Sequence, residues 1–137
     1  MNDIQLIGAY TKIGHEAAKQ IFNAVQEYLE KKGWHVHNPT TMVPEGTAWG
    51  EAMNITLDNI RKMDAVYLVQ NWTISEGSRL EVQEAMLWGL HMYHKNFPPP
   101  DVIGKKYSEV VENGHTRLER MQAIRKKTEV AAKTLGI

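Results

Sequence analysis

The sequence predicts a single α/β domain built on an open parallel sheet of four to five strands flanked by helices. Short apolar runs alternate with longer amphipathic stretches over the first 95 residues, as they do in βαβ units. The run at residues 64–69 is apolar on both faces, which is typical of a buried parallel strand. The length of 137 residues suits one domain, and the absence of cysteine excludes disulfides and thiolate chemistry.

The first strand and the first helix are predicted from residues 4–33. Residues 4–7 are apolar and rich in branched side chains, and Gly8 closes them as a strand. After a loop at residues 8–14, apolar residues recur at three- and four-residue steps and predict a helical stripe formed by Ala17, Ile21, Ala24, Val25, Tyr28 and Leu29. Lys31, Lys32 and the following Gly33 predict the end of that helix.

The second strand and the second helix are predicted next. Residues 34–37 form the strand, which Asn38 and Pro39 halt. Residues 40–47 contain a proline and a glycine and have no periodicity, so they predict a loop. A helix is expected over residues 48–62, with an apolar stripe of Trp49, Met53, Leu57 and Ile60.

The third and fourth strands complete the sheet. Residues 64–69 form the third strand, and residues 70–74 form its exit loop. Ser75 is a candidate N-cap for a helix that reaches Leu87 or Trp88 and stops at Gly89. Residues 90–94 are a candidate fourth strand. This alternation predicts a Rossmann-like or flavodoxin-like fold.

The C-terminal region lies beyond a proline-rich break at residues 96–101. A last amphipathic helix is predicted from about His115 to Leu135, with a stripe of Leu118, Met121, Ile124, Thr128, Ala131 and Leu135. We therefore predict a core at residues 1–95, joined within one domain to a connector and helix at residues 96–137. The stripe either folds back onto the sheet or pairs with a second copy of the chain.

Composition excludes several classes of function. The 16 Lys and Arg balance the 16 Asp and Glu, which argues against binding to a nucleic-acid polymer. The longest apolar run, residues 65–69, is far shorter than the ~20 residues of a membrane span. Residues 1–3 do not begin a secretory signal. We therefore expect a soluble, cytoplasmic protein that does not contact a membrane.

Three loops leave the carboxyl ends of the predicted strands, where ligands bind in open parallel sheets. They span residues 8–14, 38–48 and 70–75, and they are rich in side chains that can bind a small polar molecule. Residues 75–78 also open a helix, whose free N–H groups and dipole favour an anion. A serine at that position is as readily explained by helix capping alone.

Glu81 is the most informative single residue. It lies almost two turns into the predicted helix, on the face shared by Gly77, Ser78, Ala85 and Trp88. A carboxylate on a face that packs against a sheet is costly unless it is paired or functional. A solvated helix glutamate is the alternative interpretation.

Histidines and tryptophans give weaker indications of a metal site or of base stacking. His35 and His37 share one face of a strand, and His91 and His94 have a spacing that can bind a metal. No carboxylate cluster joins either pair in the sequence, so neither a metal nor a cofactor is expected. Trp49 and Trp72 could stack on a base, although core or interface packing is the commoner role of tryptophan.

The order of motifs from the third strand onward resembles a known family. Residues 64–69 read Asp-Ala-Val-Tyr-Leu-Val, residues 71–81 read Asn-Trp-Thr-Ile-Ser-Glu-Gly-Ser-Arg-Leu-Glu, and Ala85 and Gly89 follow. A strand that begins with Asp, a Ser-x-Gly loop, a nearby Glu and an A-x-x-x-G helix resemble the nucleoside 2-deoxyribosyltransferase superfamily. The resemblance covers about residues 4–94. It is greatest to small, often phage-borne members of unassigned function.

The resemblance implies roles for individual residues. Glu81 would be the nucleophile that attacks C1′ of the sugar, and Tyr10 would pack beside the sugar. Asp64 would orient or protonate the base, although the start of a strand lies at the wrong end of the sheet and a structural cap is the alternative. Substrate binding would involve Thr11, Lys12, Asn38, Trp49, Asn71, Trp72, Ser75, Gly77 and Ser78.

One departure from the family pattern bears on the substrate. Transferases of the family often carry an Asp six residues before the nucleophile, where this chain has Ser75. Serine there resembles the nucleoside 5′-monophosphate N-glycosidases, in which it helps to hold the 5′-phosphate, and Lys12 is a candidate countercharge.

The function implied is cleavage or transfer of an N-glycosidic bond in a nucleoside or nucleoside 5′-monophosphate, by a homodimer or homotetramer. A nucleotide-binding module without catalysis, or an interaction protein acting through its C-terminal helix, are the alternatives.

Overall fold

A four-stranded, all-parallel sheet forms the centre of the molecule in a computed structural model that describes residues 2–102 and 117–136. The strands are β1 (Asp3–Ile7), β2 (His35–His37), β3 (Ala65–Leu68) and β4 (His91–Tyr93). Their order in the sheet is β2-β1-β3-β4. The predicted α/β class with an open parallel sheet is confirmed. The order reverses between β1 and β3, and ligands bind at such a switch point in doubly wound sheets.

Helices connect and cover the strands. They are α1 (His15–Lys31), α2 (Pro39–Met42), α3 (Trp49–Ile60), α4 (Glu76–Leu87) and α5 (Arg117–Leu135), and a 3-10 turn lies at Trp72–Ile74. Gly33 and Gly89 follow α1 and α4 with positive φ, as the sequence predicted for the two helix ends. None of the helices in the described part of the chain has the length and apolar character needed to cross a bilayer.

The short helix α2 corrects the prediction that residues 40–47 are entirely loop. Pro39 occupies the first turn of α2, where its fixed φ is favourable and its missing N–H costs nothing. The Asn38 side chain caps the helix by accepting a hydrogen bond from the backbone N–H of Thr40 at 2.9 Å. The Asn-Pro pair therefore begins a helix as well as ending a strand.

Both faces of the sheet are buried, as predicted. On one face, Ile4 and Leu6 of β1 pack in a cluster with Phe22 of α1. On the other face, Ile7 packs with Ile60 and with Val82 of α4. The two clusters follow from the alternation of side chains along β1.

The buried side of α1 differs from the predicted stripe. Ala18, Phe22 and Leu29 are buried, whereas Ile21 and Tyr28 are exposed. The buried set has its own three- and four-residue spacing, and it places the large Phe22 ring in the core. Over most of the helix, the buried positions are therefore shifted by about one residue from the predicted stripe.

The segment after β4 packs against the core as far as residue 102. The backbone N–H of Val102 donates to the carbonyl of Lys32 at 2.7 Å, and Trp34 Nε1 donates to the carbonyl of Pro100 at 3.0 Å. The predicted C-terminal helix is present as α5. Leu135 of this helix is exposed, with 73% of its surface accessible. His115 and the side chains of Leu118, Met121 and Ile124 lie outside the described residues.

Candidate functional site

A pocket of about 330 Å³ lies beside the carboxyl end of β1. Its walls come from the loop after β1, from Phe22 of α1, from residues 39–47, from residues 49–56 of α3 and from the start of α4. The volume falls within the range of small-molecule sites. Its position at the switch point agrees with the general rule for open parallel sheets.

Glu81 contributes a buried carboxyl group to the pocket. The residue is only 7% exposed, in the second turn of α4. Gln5 Nε2 lies 3.4 Å from Glu81 Oε2 and also donates to the carbonyl of Thr56 at 3.2 Å. Burial raises the pKa of Glu81 to about 8, although hydrogen bonds from the side chains of Thr56 and Gln5 oppose this shift. The carboxyl group is therefore mostly protonated at neutral pH.

A line of polar side chains leads from Glu81 along one face of β1. Gln5 Oε1 accepts a hydrogen bond from Asn59 Nδ2 at 2.7 Å. The same Asn59 nitrogen lies 3.1 Å from His37 Nδ1 at the neighbouring strand. Gln5 is fully buried, so these partners satisfy an amide that would otherwise destabilise the fold.

The start of α4 opens beside the carboxyl group. Ser75 Oγ accepts a hydrogen bond from the backbone N–H of Ser78 at 3.2 Å, so the predicted N-cap is confirmed. The Ser75 hydroxyl keeps its own proton for a further hydrogen bond. A Cβ atom on Gly77 would lie 2.9 Å from Met53 Sδ, so glycine leaves room for α3 to approach. Ser75 and Gly77 both line the pocket.

Tyr10 lines the pocket and contacts His15, a residue that the sequence did not single out. The Tyr10 hydroxyl is hydrogen-bonded to His15 Nδ1, and His15 Nε2 lies 3.6 Å from a carboxylate oxygen of Glu45. Burial, followed by the negative charges of Glu45 and Glu16, raises the pKa of Tyr10. The tyrosine therefore stays protonated at neutral pH.

Half of the predicted site residues meet in this pocket. Those that line it are Tyr10, Thr11, Trp49, Ser75, Gly77 and Glu81. Trp49 is 54% exposed, so the prediction that it belongs to the apolar stripe of α3 is wrong, and it stands at the mouth of the pocket instead. The exposed indole face is available for stacking.

Three other predicted residues connect parts of the scaffold. Asn38 is buried, caps α2 and donates to side-chain oxygens of Asn23 and Gln26. Asn71 Oδ1 accepts a hydrogen bond from the backbone N–H of Ala9 at 3.1 Å, which ties the loop after β3 to the loop after β1. Asp64 lies before β3, at the amino end of the sheet, where its Oδ2 accepts from the backbone N–H of Asp3 at 2.9 Å. The alternative structural role of Asp64 fits this position.

The remaining predicted residues are not part of the pocket lining. Lys12 is exposed and is not one of the residues that line the pocket, where it was expected as a countercharge. Trp72 packs against the apolar cluster that contains Val66 and Val82. Ser78 is buried, and its hydroxyl oxygen has no hydrogen-bond partner among the residues that the structure describes.

Sequence reasoning missed several residues around Glu81. Gln5 and Thr56 surround the carboxyl group, and residues 43–47 form one wall. Gln5 carried a signal, because a polar residue inside an apolar strand suggests a buried partner. Residues 43–47 lie in the loop that was expected at the ligand-binding edge, but the sequence singled out none of them, since their exact place depends on how α2 and α3 pack.

A carboxylate joins the two histidines of β2, so the prediction that no carboxylate accompanies them is wrong. Asp3 Oδ1 lies 2.6 Å from His35 Nδ1 and 2.9 Å from His37 Nε2. Burial by itself would raise the pKa of Asp3, but the hydrogen bonds and charges of His35 and His37 outweigh it and hold that pKa below its usual value. The parallel register of β1 and β2 brings these three residues together, although they are distant in the sequence.

Comparisons with known proteins identify a family for the chain and leave its activity open. No curated protein and no solved structure matches the chain. A family model does match residues 6–94, and its description is a domain of unknown function, DUF4406. The matched residues run from the end of β1 through β4 and include the pocket walls and Glu81. The chain therefore belongs to the DUF4406 family.

Proposed function

We propose that the protein cleaves or transfers the N-glycosidic bond of a nucleoside or nucleoside 5′-monophosphate, with Glu81 as the nucleophile. The observation that carries this proposal is the buried carboxyl group of Glu81 in a pocket at the switch point of the sheet. The sequence resemblance to nucleoside 2-deoxyribosyltransferases independently singled out the same residue.

The chemistry of the bond suits a carboxylate in this place. As the bond between C1′ and the base nitrogen breaks, its electron pair leaves with the base and positive charge develops at C1′. A Glu81 oxygen then forms a bond to C1′ and traps the sugar as an ester. Water releases the sugar in a hydrolase, and a second base accepts it in a transferase.

The surroundings of Glu81 support assignments for the rest of the substrate. Ser75 and the opening turn of α4 offer a hydroxyl and free N–H groups to a 5′-phosphate. Tyr10, held by His15, is the candidate to contact the sugar. Trp49 offers an exposed aromatic face on which a base can stack.

The protonation state of Glu81 sets the pH dependence of this reaction. Only the ionised carboxyl group is a nucleophile, and the pKa of Glu81 is about 8 in the free protein. We therefore expect kcat/KM to rise with pH and to level off above about 8. A rate that instead falls over this range would show that protonated Glu81 acts as an acid, and it would refute the nucleophilic role.

The direct experiment follows release of free base from a panel of nucleosides and their 5′-monophosphates. Glu81→Gln should retain the fold and ligand binding while losing turnover on the order of 10³-fold or more. Glu76→Gln is the matched control, because Glu76 lies on the same helix but is exposed. Turnover by Glu81→Gln at the rate of the wild-type protein would remove Glu81 from the mechanism.

A nucleotide-binding module without turnover is the second candidate. The raised pKa of Glu81 favours it, because a neutral carboxyl group can donate a hydrogen bond to a base or sugar without attacking it. In that case nucleotides should raise the melting temperature, and no base should be released from any member of the panel.

A further inference from the structure

Three side chains with metal-binding groups converge at the amino end of the sheet, away from the pocket. Asp3 of β1 stands opposite His35 in the parallel register, and His37 follows two residues later on the same side of β2. One potential ligand atom from each of the three residues lies within 4.8 Å of the other two. No residue of the proposed nucleotide pocket belongs to this cluster.

We propose that Asp3, His35 and His37 bind a divalent transition-metal ion, for which Zn²⁺ is the best match. Two imidazole nitrogens and one carboxylate oxygen are a donor set that zinc prefers. With bonds of about 2.0–2.1 Å in tetrahedral geometry, two donors stand roughly 3.4 Å apart. The present separations of 2.6 and 2.9 Å from Asp3 Oδ1 are shorter, so small side-chain rotations would admit the ion.

The cluster is open to solvent on one side. The side chain of His35 is 53% exposed, whereas those of Asp3 and His37 are 24% and 21% exposed. An ion can therefore enter without any movement of the backbone. Three protein ligands leave a fourth position, which water or a further ligand would fill.

Neighbouring groups hold the ligands in place. The backbone N–H of Asp3 donates to Asp64 Oδ2 at 2.9 Å, which fixes the start of β1. His37 Nδ1 faces the side-chain amide of Asn59 at 3.1 Å. The same Asn59 nitrogen also donates to Gln5 Oε1 at 2.7 Å, which fixes Asn59 beside the His37 ring.

The competing explanation is that the two histidines only form hydrogen bonds with Asp3. Titration of the full chain, purified without a histidine tag and stripped with a chelator, separates the two explanations. Zn²⁺ binding is measured by calorimetry, and Co²⁺ is used as a spectroscopic probe because its visible absorption reports coordination geometry. The variants are Asp3→Asn, His35→Ala and His37→Ala, and His94→Ala is the control with a histidine removed elsewhere.

We expect the wild-type protein and His94→Ala to bind one equivalent of Zn²⁺ with the same affinity. Each of the three ligand variants should lose at least 10-fold in affinity and lose the Co²⁺ absorption of the wild-type protein. Circular dichroism checks the fold, and His35→Gln provides a second variant at the exposed ligand. Absence of one-equivalent binding to the wild-type protein would overturn the proposal. Binding that persists unchanged in the folded ligand variants would overturn it as well.

Discussion

The buried carboxyl group of Glu81 makes the stability of the protein depend on pH in a direction that can be measured. Its pKa is about 8 in the folded protein, against 4.5 for an ordinary glutamate. The folded state therefore holds the proton more tightly than the unfolded state does. The contribution of this group to stability is fully present below about pH 4.5 and is lost as the pH rises through about 8.

The size of the effect follows from the same two values. Each pKa unit corresponds to about 1.4 kcal/mol, so the difference between 4.5 and about 8 is worth on the order of 4–5 kcal/mol at most. Small domains are stable by about 5–15 kcal/mol, so the effect is a large fraction of the total. Glu81→Gln keeps the shape of the side chain and removes its titration.

The assay is urea unfolding, followed by tryptophan fluorescence at several pH values between 5 and 9. The free energy of unfolding of Glu81→Gln minus that of the wild-type protein should increase with pH across this range. The two proteins differ in no other titratable group, so the subtraction cancels the contribution of the rest of the chain. Glu76→Gln, at an exposed position of the same helix, is the matched control for removal of a carboxylate. A difference for Glu81→Gln that is constant with pH would refute the argument that burial raises its pKa.

Three further predictions test other parts of the structure. Gln5→Leu removes a hydrogen bond that lowers the pKa of Glu81, so the rise of kcat/KM should move to higher pH. An unchanged pH profile would count against the contact between Gln5 and Glu81. Ser75→Ala should cost ~1 kcal/mol of stability and weaken binding of a 5′-monophosphate more than that of the matching nucleoside, and equal losses would leave Ser75 as a cap alone. Replacing Leu118 and Met121 with glutamate should convert a dimer or tetramer to monomers, as measured by light scattering. A wild-type protein that is already monomeric at micromolar concentration would rule out assembly through this helix.

The fold could be predicted because its signals are local. Strand β3 is a continuous apolar run, and the ends of α1 and α4 are marked by Gly33 and Gly89. The buried side of α1 was harder to predict. Two overlapping apolar stripes fit the helical period there, and packing against the sheet selects the one that contains Phe22.

The candidate site could be predicted only where it follows the ends of strands. Tyr10, Thr11 and Ser75 lie on loops at the carboxyl ends, and the topology of a parallel sheet brings such loops together. The walls from α3 and residues 43–47 depend on how helices pack. Asn38 and Asn71 lie on the expected loops, but their side chains bond to the scaffold.

The face of β1 that carries Asp3 and Gln5 connects the buried carboxyl group of Glu81 with the two histidines of β2. Side chains alternate along a strand, so Asp3 and Gln5 point to the same side, opposite to Ile4 and Leu6. Gln5 reaches Glu81 near the carboxyl end, and Asp3 reaches the histidines at the amino end. Because the buried Gln5 amide needs partners, the polar line must continue to Asn59, whose amide also faces His37. The alternation of polar and apolar residues was visible in the sequence. The partners of Asp3 and Gln5 were not, because they depend on the register of β2 and on the placement of α3.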